Sequence, residues 1–225
     1  MKDVKTVLFL GDSVTDCGRD RSDLHGLGDG YPLYVAEGWR KALPDSKTEF
    51  INRGISGARS GLLLERYEED CKQYSPDVIS VLIGINDTWR CFDSSDPTST
   101  SKFEDNYRAL LCNIRRDFPK AKLIMLEQFL LHTDPAKKRW HWDLDPKIQV
   151  TRALGAEYAD LYIALDGYLN GLAMSGVGEA VLTADGVHPT QNGHRVIAAK
   201  WLRTLGIEPG DTLLTPELTA YRNLL

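Results

Sequence analysis

The chain has 225 residues, of which 42% are hydrophobic and 26% are charged, and its formal net charge is −5. That composition is ordinary for a globular protein with enough chain to bury its own core. The acidic balance argues against nucleic acid as a partner, because neutralising phosphates requires a basic face. The sequence holds no apolar run approaching the ~20 residues of a membrane-spanning helix, so we expect no membrane partner either.

The N-terminal segment and the cysteines bear on the cellular compartment. Residues 6–10 form an apolar run shorter than the ~7–15 residues of a secretory core, and no cleavage site of small residues follows it. The cysteines are Cys17, Cys71, Cys91 and Cys112. Their spacing contains no Cys-x-x-Cys pair, which argues against zinc and redox motifs. The sequence therefore favours free thiols and a cytoplasmic location.

Short apolar runs alternate with longer amphipathic stretches along the chain. The runs that predict buried strands are residues 7–10, 50–52, 78–83, 122–129 and 158–163. Apolar residues at helical spacing predict helices at residues 31–43, 61–73, 103–118, 148–155 and 191–205. This alternation predicts an α/β fold with a five-stranded parallel sheet, covered by helices on both faces, in a single domain spanning residues 1–225.

Two stretches match neither pattern and are interpreted as loops. Residues 92–101 are polar, and residues 132–146 contain two tryptophans, Trp140 and Trp142. The basic run 137–139 is interpreted as a solvated surface. Ligands of open α/β sheets bind beyond the carboxyl ends of the strands, so either loop could border a site.

Residues suited to acyl transfer follow the predicted strands. Ser13 follows the first strand, Gly54 the second and Asn86 the third, and Asp185 and His188 precede the last helix. Because parallel strands end at one edge of a sheet, the first three loops should converge. We interpret Ser13 as a nucleophile, His188 as its base and Asp185 as the group that orients the base. The N–H groups of Ser13 and Gly54 and the amide of Asn86 are the candidate donors to an oxyanion.

Taken one at a time, these residues have ordinary structural explanations. A Gly-Asp-Ser tripeptide after a strand is more often just a turn, and a single histidine is more often an ordinary loop residue. An Asn-Asp pair more often belongs to a turn or a helix cap. Their order after successive strands favours catalysis. We interpret Asp12 as bonding N–H groups of its own turn, Asp87 as a cap of the segment after the third strand, and His194 as a packing or surface residue of the last helix. Neither His-x-His nor His-Glu-x-x-His spacing occurs, so we expect no metal and no cofactor.

Together these segments resemble the conserved blocks of the SGNH, or GDSL-type, hydrolase superfamily. The matching segments are residues 11–13 (Gly-Asp-Ser), 52–57 (Asn-Arg-Gly-Ile-Ser-Gly), 84–87 (Gly-Ile-Asn-Asp) and 185–189 (Asp-Gly-Val-His-Pro). The resemblance implies a three-layer flavodoxin-like fold with Ser13, Asp185 and His188 as the catalytic triad. It also implies an oxyanion hole formed by Ser13, Gly54 and Asn86.

Extensions of the first and third segments narrow the resemblance. Gly-Asp-Ser-x-Thr-Asp-Cys-Gly-Arg and Gly-Ile-Asn-Asp-x-Trp-Arg are similar to segments of small bacterial intracellular esterases that deacetylate xylo-oligosaccharides. The resemblance implies a serine esterase that removes O-acetyl groups from a carbohydrate or oligosaccharide through an acyl-enzyme. Trp89, Trp140 and Trp142 are candidates for stacking on sugar rings, with ordinary packing as the alternative. Arg90 either contacts a sugar hydroxyl or pairs with Asp93.

Two other functions stay open. A lysophospholipase or thioesterase of the same superfamily would act on a longer acyl chain, and the sequence offers no long apolar lid helix to cover one. The second open function is that of a sugar-binding protein that has a hydrolase fold but no catalytic activity, since a fold alone does not establish activity. The apolar tail, residues 206–225, should pack on its own domain or on a neighbouring subunit, so a homo-oligomer is expected.

Overall fold

The computed structural model describes residues 3–225, which contain a five-stranded sheet. The strands are β1 (Thr6–Gly11), β2 (Glu49–Asn52), β3 (Val78–Leu82), β4 (Lys122–Leu126) and β5 (Leu161–Ile163). All neighbouring strands are parallel, in the spatial order β2-β1-β3-β4-β5. This is the flavodoxin-like order. The direction in which successive strands are added to the sheet reverses between β1 and β3. The predicted α/β fold is confirmed.

Helices and short turns connect the strands. The α-helices are α1 (Ser13–Asp16), α2 (Tyr31–Ala42), α3 (Ser60–Glu65), α4 (Tyr67–Asp70), α5 (Ile85–Asp93), α6 (Thr100–Asp117), α7 (His141–Tyr158), α8 (Leu165–Leu172), α9 (Glu179–Leu182), α10 (Gln191–Thr204) and α11 (Pro216–Thr219). Tighter 3₁₀ turns lie at Lys72–Tyr74, Pro135–Trp140 and Gly210–Leu213, and a π turn lies at Ala173–Val177.

Each face of the sheet packs against its own apolar layer. Successive residues of a strand point to opposite faces, so Phe9 enters one layer and Leu8 the other. In the first layer, α2 and α10 pack on the sheet, and the Trp201 ring lies 5.8 Å from Phe9 and 6.4 Å from Trp39 between centroids. Helices α3, α6 and α7 cover the second face. Burial on both faces explains why the strands read as nearly continuous apolar runs.

The structure confirms the first predicted loop over residues 94–99 and corrects the second. Helix α5 extends into the first of them, and α6 begins at its end, where the Ser99 hydroxyl caps the N–H of Lys102 at 3.2 Å. The second is a 3₁₀ turn that runs directly into α7, so the prediction of an irregular segment at 132–146 is wrong over most of its length. Pro146 lies inside α7, and because proline usually ends a helix, the sequence pattern placed the start of this helix too late.

The C-terminal tail packs on its own chain. Ile207, Leu213 and Leu218 are buried in the same apolar layer as α2 and α10. The tail therefore no longer argues for a neighbouring subunit. Separately, no helix within residues 3–225 is both long enough and apolar enough to cross a membrane.

His194 of α10 connects the last long helix to the N-terminus of α2. Its Nδ1 accepts a hydrogen bond from the N–H of Tyr31 at 3.1 Å, and its Nε2 lies 3.4 Å from Cys17 Sγ. Burial lowers the pKa of His194 to about 4. The ring is therefore neutral in the folded protein, with its proton on Nε2. Of the two predicted places for His194, packing and surface, the structure shows packing.

Replacing His194 with Asn should weaken the loss of stability in acid. In the unfolded chain the ring protonates near its ordinary pKa of 6.5, so the folded state loses stability as the pH falls from 6.5 toward 4. A shift of this size corresponds to about 3 kcal/mol at full extent. Asparagine keeps an acceptor for the Tyr31 N–H and does not titrate. Urea unfolding at about pH 5 and about pH 7.5 measures the difference, and equal pH dependence in the two proteins would contradict the assignment.

Candidate active site

Ser13 lies where β1 ends and α1 begins, at the carboxyl edge of the sheet. The carboxylate of Asp12 accepts a hydrogen bond from the N–H of Val14 at 3.0 Å and so caps α1, as the sequence predicted. As the first residue of α1, Ser13 has an N–H without a partner inside the helix. A side chain at Gly11 would meet Thr15 Oγ1 at 2.3 Å, so only glycine lets the chain turn this closely.

Asp185 and His188 share the loop before α10. Asp185 Oδ1 accepts hydrogen bonds from the N–H groups of Val187 at 3.0 Å and His188 at 2.8 Å. Its Oδ2 lies 3.1 Å from His188 Nδ1, and His188 Nε2 lies 3.2 Å from Ser13 Oγ. The structure thus brings the three predicted side chains into one hydrogen-bonded line across 175 residues of sequence.

The members of this line shift one another's pKa. Burial alone would raise the pKa of Asp185, but hydrogen bonds from His188 and Lys137 outweigh it and hold that pKa far below its usual range. The hydrogen bond to Asp185 raises the pKa of His188. Asp185 therefore stays an anion that accepts from Nδ1, which leaves the Nε2 lone pair facing Ser13 Oγ. This is the arrangement of a general base beside a hydroxyl nucleophile.

Buried Asp12 adds a further carboxyl close to His188. Desolvation by burial raises the pKa of Asp12 to about 7. The residue keeps its capping hydrogen bond to Val14 and contributes to the raised pKa of His188 through its charge.

The structure contradicts one of the three predicted oxyanion donors. The N–H of Gly54 already donates to Asn52 Oδ1 at 2.9 Å, and its carbonyl accepts from Arg19 Nε at 2.9 Å. Gly54 is therefore part of the buried framework beneath the site. Asn86, in the first turn of α5, donates one amide hydrogen to the carbonyl of Ala58 at 3.0 Å and keeps the second.

Gly57 offers the donor that Gly54 does not. It is exposed, adopts a φ of +82°, and among the residues that the structure describes no acceptor binds its N–H. It directly precedes Ala58, which holds the Asn86 amide. The sequence signal was present, since Gly57 ends the Asn-Arg-Gly-Ile-Ser-Gly segment, but a choice between two glycines needs the hydrogen bonds.

Asp87 was predicted to cap the segment that follows β3, to which it belongs. It caps α3 instead. Its Oδ2 accepts from the N–H of Ser60 at 2.9 Å and its Oδ1 from the Ser60 hydroxyl at 2.7 Å, so it satisfies the start of α3. The Ser60 hydroxyl also accepts from Asn106 Nδ2 at 3.2 Å. Asp87 thereby links α5, the helix that carries Asn86, to α3 and α6.

Replacing Asp87 with Ala should cost about 2–4 kcal/mol of stability, because it leaves the buried N–H of Ser60 without a partner. Asp87→Asn keeps one acceptor and should lose less. Asp93→Ala, an exposed change on the same helix, is the matched control and should lose under about 1 kcal/mol. Urea unfolding measures all three, and a loss for Asp87→Ala no larger than that of the control would contradict the capping role.

Aromatic residues form a wall beside His188. The Trp89 ring lies 5.5 Å from the His188 ring and 5.1 Å from Trp140, and Phe92 stacks on Trp140 at 5.3 Å with an interplanar angle of 8°. Trp140 is only 5% exposed, so the structure assigns it to packing and not to a substrate surface. Trp142 is 65% exposed and meets Phe92 edge-on.

Arg90 and the two histidines of segment 132–146 have protein partners. Arg90 pairs with Asp93, one of its two predicted roles. His132 and His141 face each other through Nε2 atoms 2.9 Å apart, and His141 Nδ1 bonds Asp145 at 2.8 Å. Across residues 3–225, the His, Cys, Asp and Glu side chains form no group of three that could hold a metal ion.

A family model provides the decisive comparison. The model of the GDSL-like lipase/acylhydrolase family matches residues 9–196. The chain belongs to this family. It is a carboxylic ester hydrolase of the SGNH type, and the resemblance drawn from the four sequence segments is confirmed.

Individual relatives agree with the family assignment. The chain is 32% identical to an acetylxylan esterase of Geobacillus stearothermophilus over 211 residues, 90% of this chain and 94% of that protein. A crystal structure of Axe2, an acetylxylan esterase from the same organism, matches with a TM-score of 0.81 and 31% identity over 93% of this chain and 98% of the other. A structure from Parabacteroides merdae, described provisionally as a GDSL-like lipase, matches with a TM-score of 0.86 and 30% identity, over 92% of this chain and 98% of the other.

Solved structures of the Geobacillus esterase include catalytic mutants. In these a serine, an aspartate or a histidine is replaced by alanine. The same three residue types form the hydrogen-bonded line of this chain.

Proposed function

We propose that this hydrolase removes O-acetyl groups from a carbohydrate or oligosaccharide through an acyl-enzyme formed on Ser13. The observation that carries the proposal is the line of Asp185, His188 and Ser13, with separations of 3.1 Å and 3.2 Å, at the edge of the sheet where ligands of this fold bind. The name of the 32% identical relative supports an acetylated xylan as the substrate. A 31% identical solved structure, described as an acetyl-xylooligosaccharide esterase, supports the shorter oligosaccharide.

Acylation begins when Ser13 Oγ attacks the ester carbonyl and His188 Nε2 takes the hydroxyl proton. Negative charge develops on the carbonyl oxygen and is stabilised by the N–H of Ser13, the free amide hydrogen of Asn86 and, in place of Gly54, the N–H of Gly57. The tetrahedral intermediate collapses as His188 gives its proton to the leaving sugar oxygen.

Deacylation repeats these steps with water. His188 removes a proton from the water that attacks the acetyl-serine carbonyl, then returns it to Ser13 Oγ as acetate leaves. Because His188 must be neutral to act as a base, and because its pKa is raised, activity should decline on the acid side at a pH above the ordinary histidine value.

The aromatic wall supports a sugar as the alcohol part of the ester. Trp142 presents its ring to solvent next to Phe92, and an exposed indole face suits the apolar face of a sugar ring. A lysophospholipase or thioesterase would use the same chemistry on a longer acyl chain. The purely sugar-binding alternative is not supported, because the chain belongs to a family of hydrolases and its nucleophile, base and orienting group are assembled.

Replacing Ser13 with Ala should reduce hydrolysis of p-nitrophenyl acetate by several orders of magnitude, because the covalent route is lost. A fluorophosphonate should add to the wild-type protein once, detected by intact mass, and should not add to the variant. Ser175→Ala, an exposed serine in the π turn, is the control and should keep both activity and labelling. Full activity of the Ser13→Ala protein would contradict the mechanism, and a strong preference for the octanoyl ester would favour the lipid or thioester alternative.

Replacing Trp142 with Ala should raise KM for acetylated xylo-oligosaccharides by about 5- to 10-fold, which corresponds to about 1 kcal/mol of stacking. KM for p-nitrophenyl acetate should stay unchanged, because that ester carries no sugar. Met174→Ala removes another exposed apolar side chain, in the π turn, and serves as the control. An equal change in KM for both substrates would contradict a sugar-stacking role.

A further inference from the structure

Lys137 is a buried cation that contacts the carboxylate of Asp185. The basic run 137–139 was predicted to be solvated, and this is wrong for Lys137, which is only 8% exposed. Its Nζ donates to Asp185 Oδ2 at 2.9 Å and to the Asp185 carbonyl at 2.7 Å. Lysine is rarely buried unless its charge is paired, and here the pairing is with a residue of the hydrogen-bonded line.

Two indole rings enclose the rest of the ammonium group. Lys137 Nζ lies 4.8 Å from the centroid of Trp89 and 5.5 Å from that of Trp140, within the range of a cation–π contact. Asp134 Oδ2 is the next carboxylate, at 3.8 Å. The aromatic wall beside His188 therefore also contacts the Lys137 ammonium. Buried Trp140 contributes to this contact rather than to a substrate surface.

Lys137 and His188 share one oxygen of Asp185. Oδ2 contacts Lys137 Nζ at 2.9 Å and His188 Nδ1 at 3.1 Å, and Oδ1 accepts from the two backbone N–H groups of the loop. With both oxygens engaged, the carboxylate cannot rotate without losing a hydrogen bond. Lys137 is thus one of the groups that hold Asp185 Oδ2 where it meets His188 Nδ1.

We propose that Lys137 is a positioning residue that acts through Asp185: its ammonium holds the carboxylate against His188 and opposes the binding of a second proton by the ring. The proposal rests on the proposed function of His188 as the base. The charged groups that face His188 are Asp185 and Asp12, which favour the protonated ring, and Lys137, which disfavours it; neutral His194 lies on the adjoining helix α10. Removing the Lys137 charge should therefore raise the pKa of His188.

Three substitutions separate charge from hydrogen bonding. Lys137→Met keeps most of the volume against the indoles, Lys137→Gln keeps a hydrogen-bond donor, and Lys137→Arg keeps the charge. Lys138→Met removes the same charge from an exposed position in the same turn and is the matched control.

The test measures the pH profile of kcat/KM with p-nitrophenyl acetate together with the titration of His188 by NMR. In the Met and Gln variants we expect the acid limb and the His188 titration to move upward by about 0.5–1 pH unit, and kcat to fall by about 10-fold with little change in KM. The Arg variant and the Lys138→Met control should keep the wild-type midpoint within about 0.2 pH unit.

The NMR titration does not require catalysis, so the two proposals can fail separately. A wild-type protein without esterase activity would overturn the proposed function while the titration still tests Lys137. Unchanged midpoints in the folded Met and Gln variants would overturn the role of Lys137. Failure of both variants to fold, seen by thermal melting, would also overturn it, because the residue would then be structural.

Discussion

The hydrogen-bonded line from Asp185 through His188 to Ser13 is the arrangement on which the rest of the site depends. Ser13 is held at the end of β1, and the other two lie on a loop that follows all five strands. The N–H of Leu131, beyond β4, donates to the carbonyl of Gly186 at 2.9 Å and ties that loop to the sheet edge. The line therefore depends on parallel strands, whose carboxyl ends share an edge.

Buried polar groups, more than apolar packing, fix the loops at this edge. Asn52 donates to the carbonyls of Thr15 at 2.6 Å and Leu27 at 2.8 Å and accepts from Gly54, so one side chain joins three loops. Asp87 does the same for the helices that flank Asn86. Such groups are costly to bury alone and stabilising when every partner is present, so they specify one arrangement of the loops.

The aromatic wall contains side chains at different depths. Buried Trp140 and partly buried Trp89 lie against the ammonium of Lys137, which contacts Asp185. Trp142 is exposed and meets partly buried Phe92 edge-on, so its indole face contacts solvent. The segment from the end of β4 to α7 thus contributes both to the charge balance of the proposed base and to the surface proposed to receive a sugar. The ester hydrolase family supplies the chemistry, and this segment is where the chain's own specificity would reside.

The sequence by itself determined the five strands, the long helices that pack on them and the three side chains of the line, because strand periodicity and residue order along parallel strands are local properties that the fold preserves. It missed α5 and placed the start of α7 too late. It did not determine which of two nearby glycines has a free N–H, nor that Lys137 is buried while Lys138 is exposed. It also could not distinguish buried Trp140 from exposed Trp142. Each of these depends on partners that are remote in sequence, such as Asn52 for one donor and Asp185 for one cation, and only tertiary packing brings those partners together.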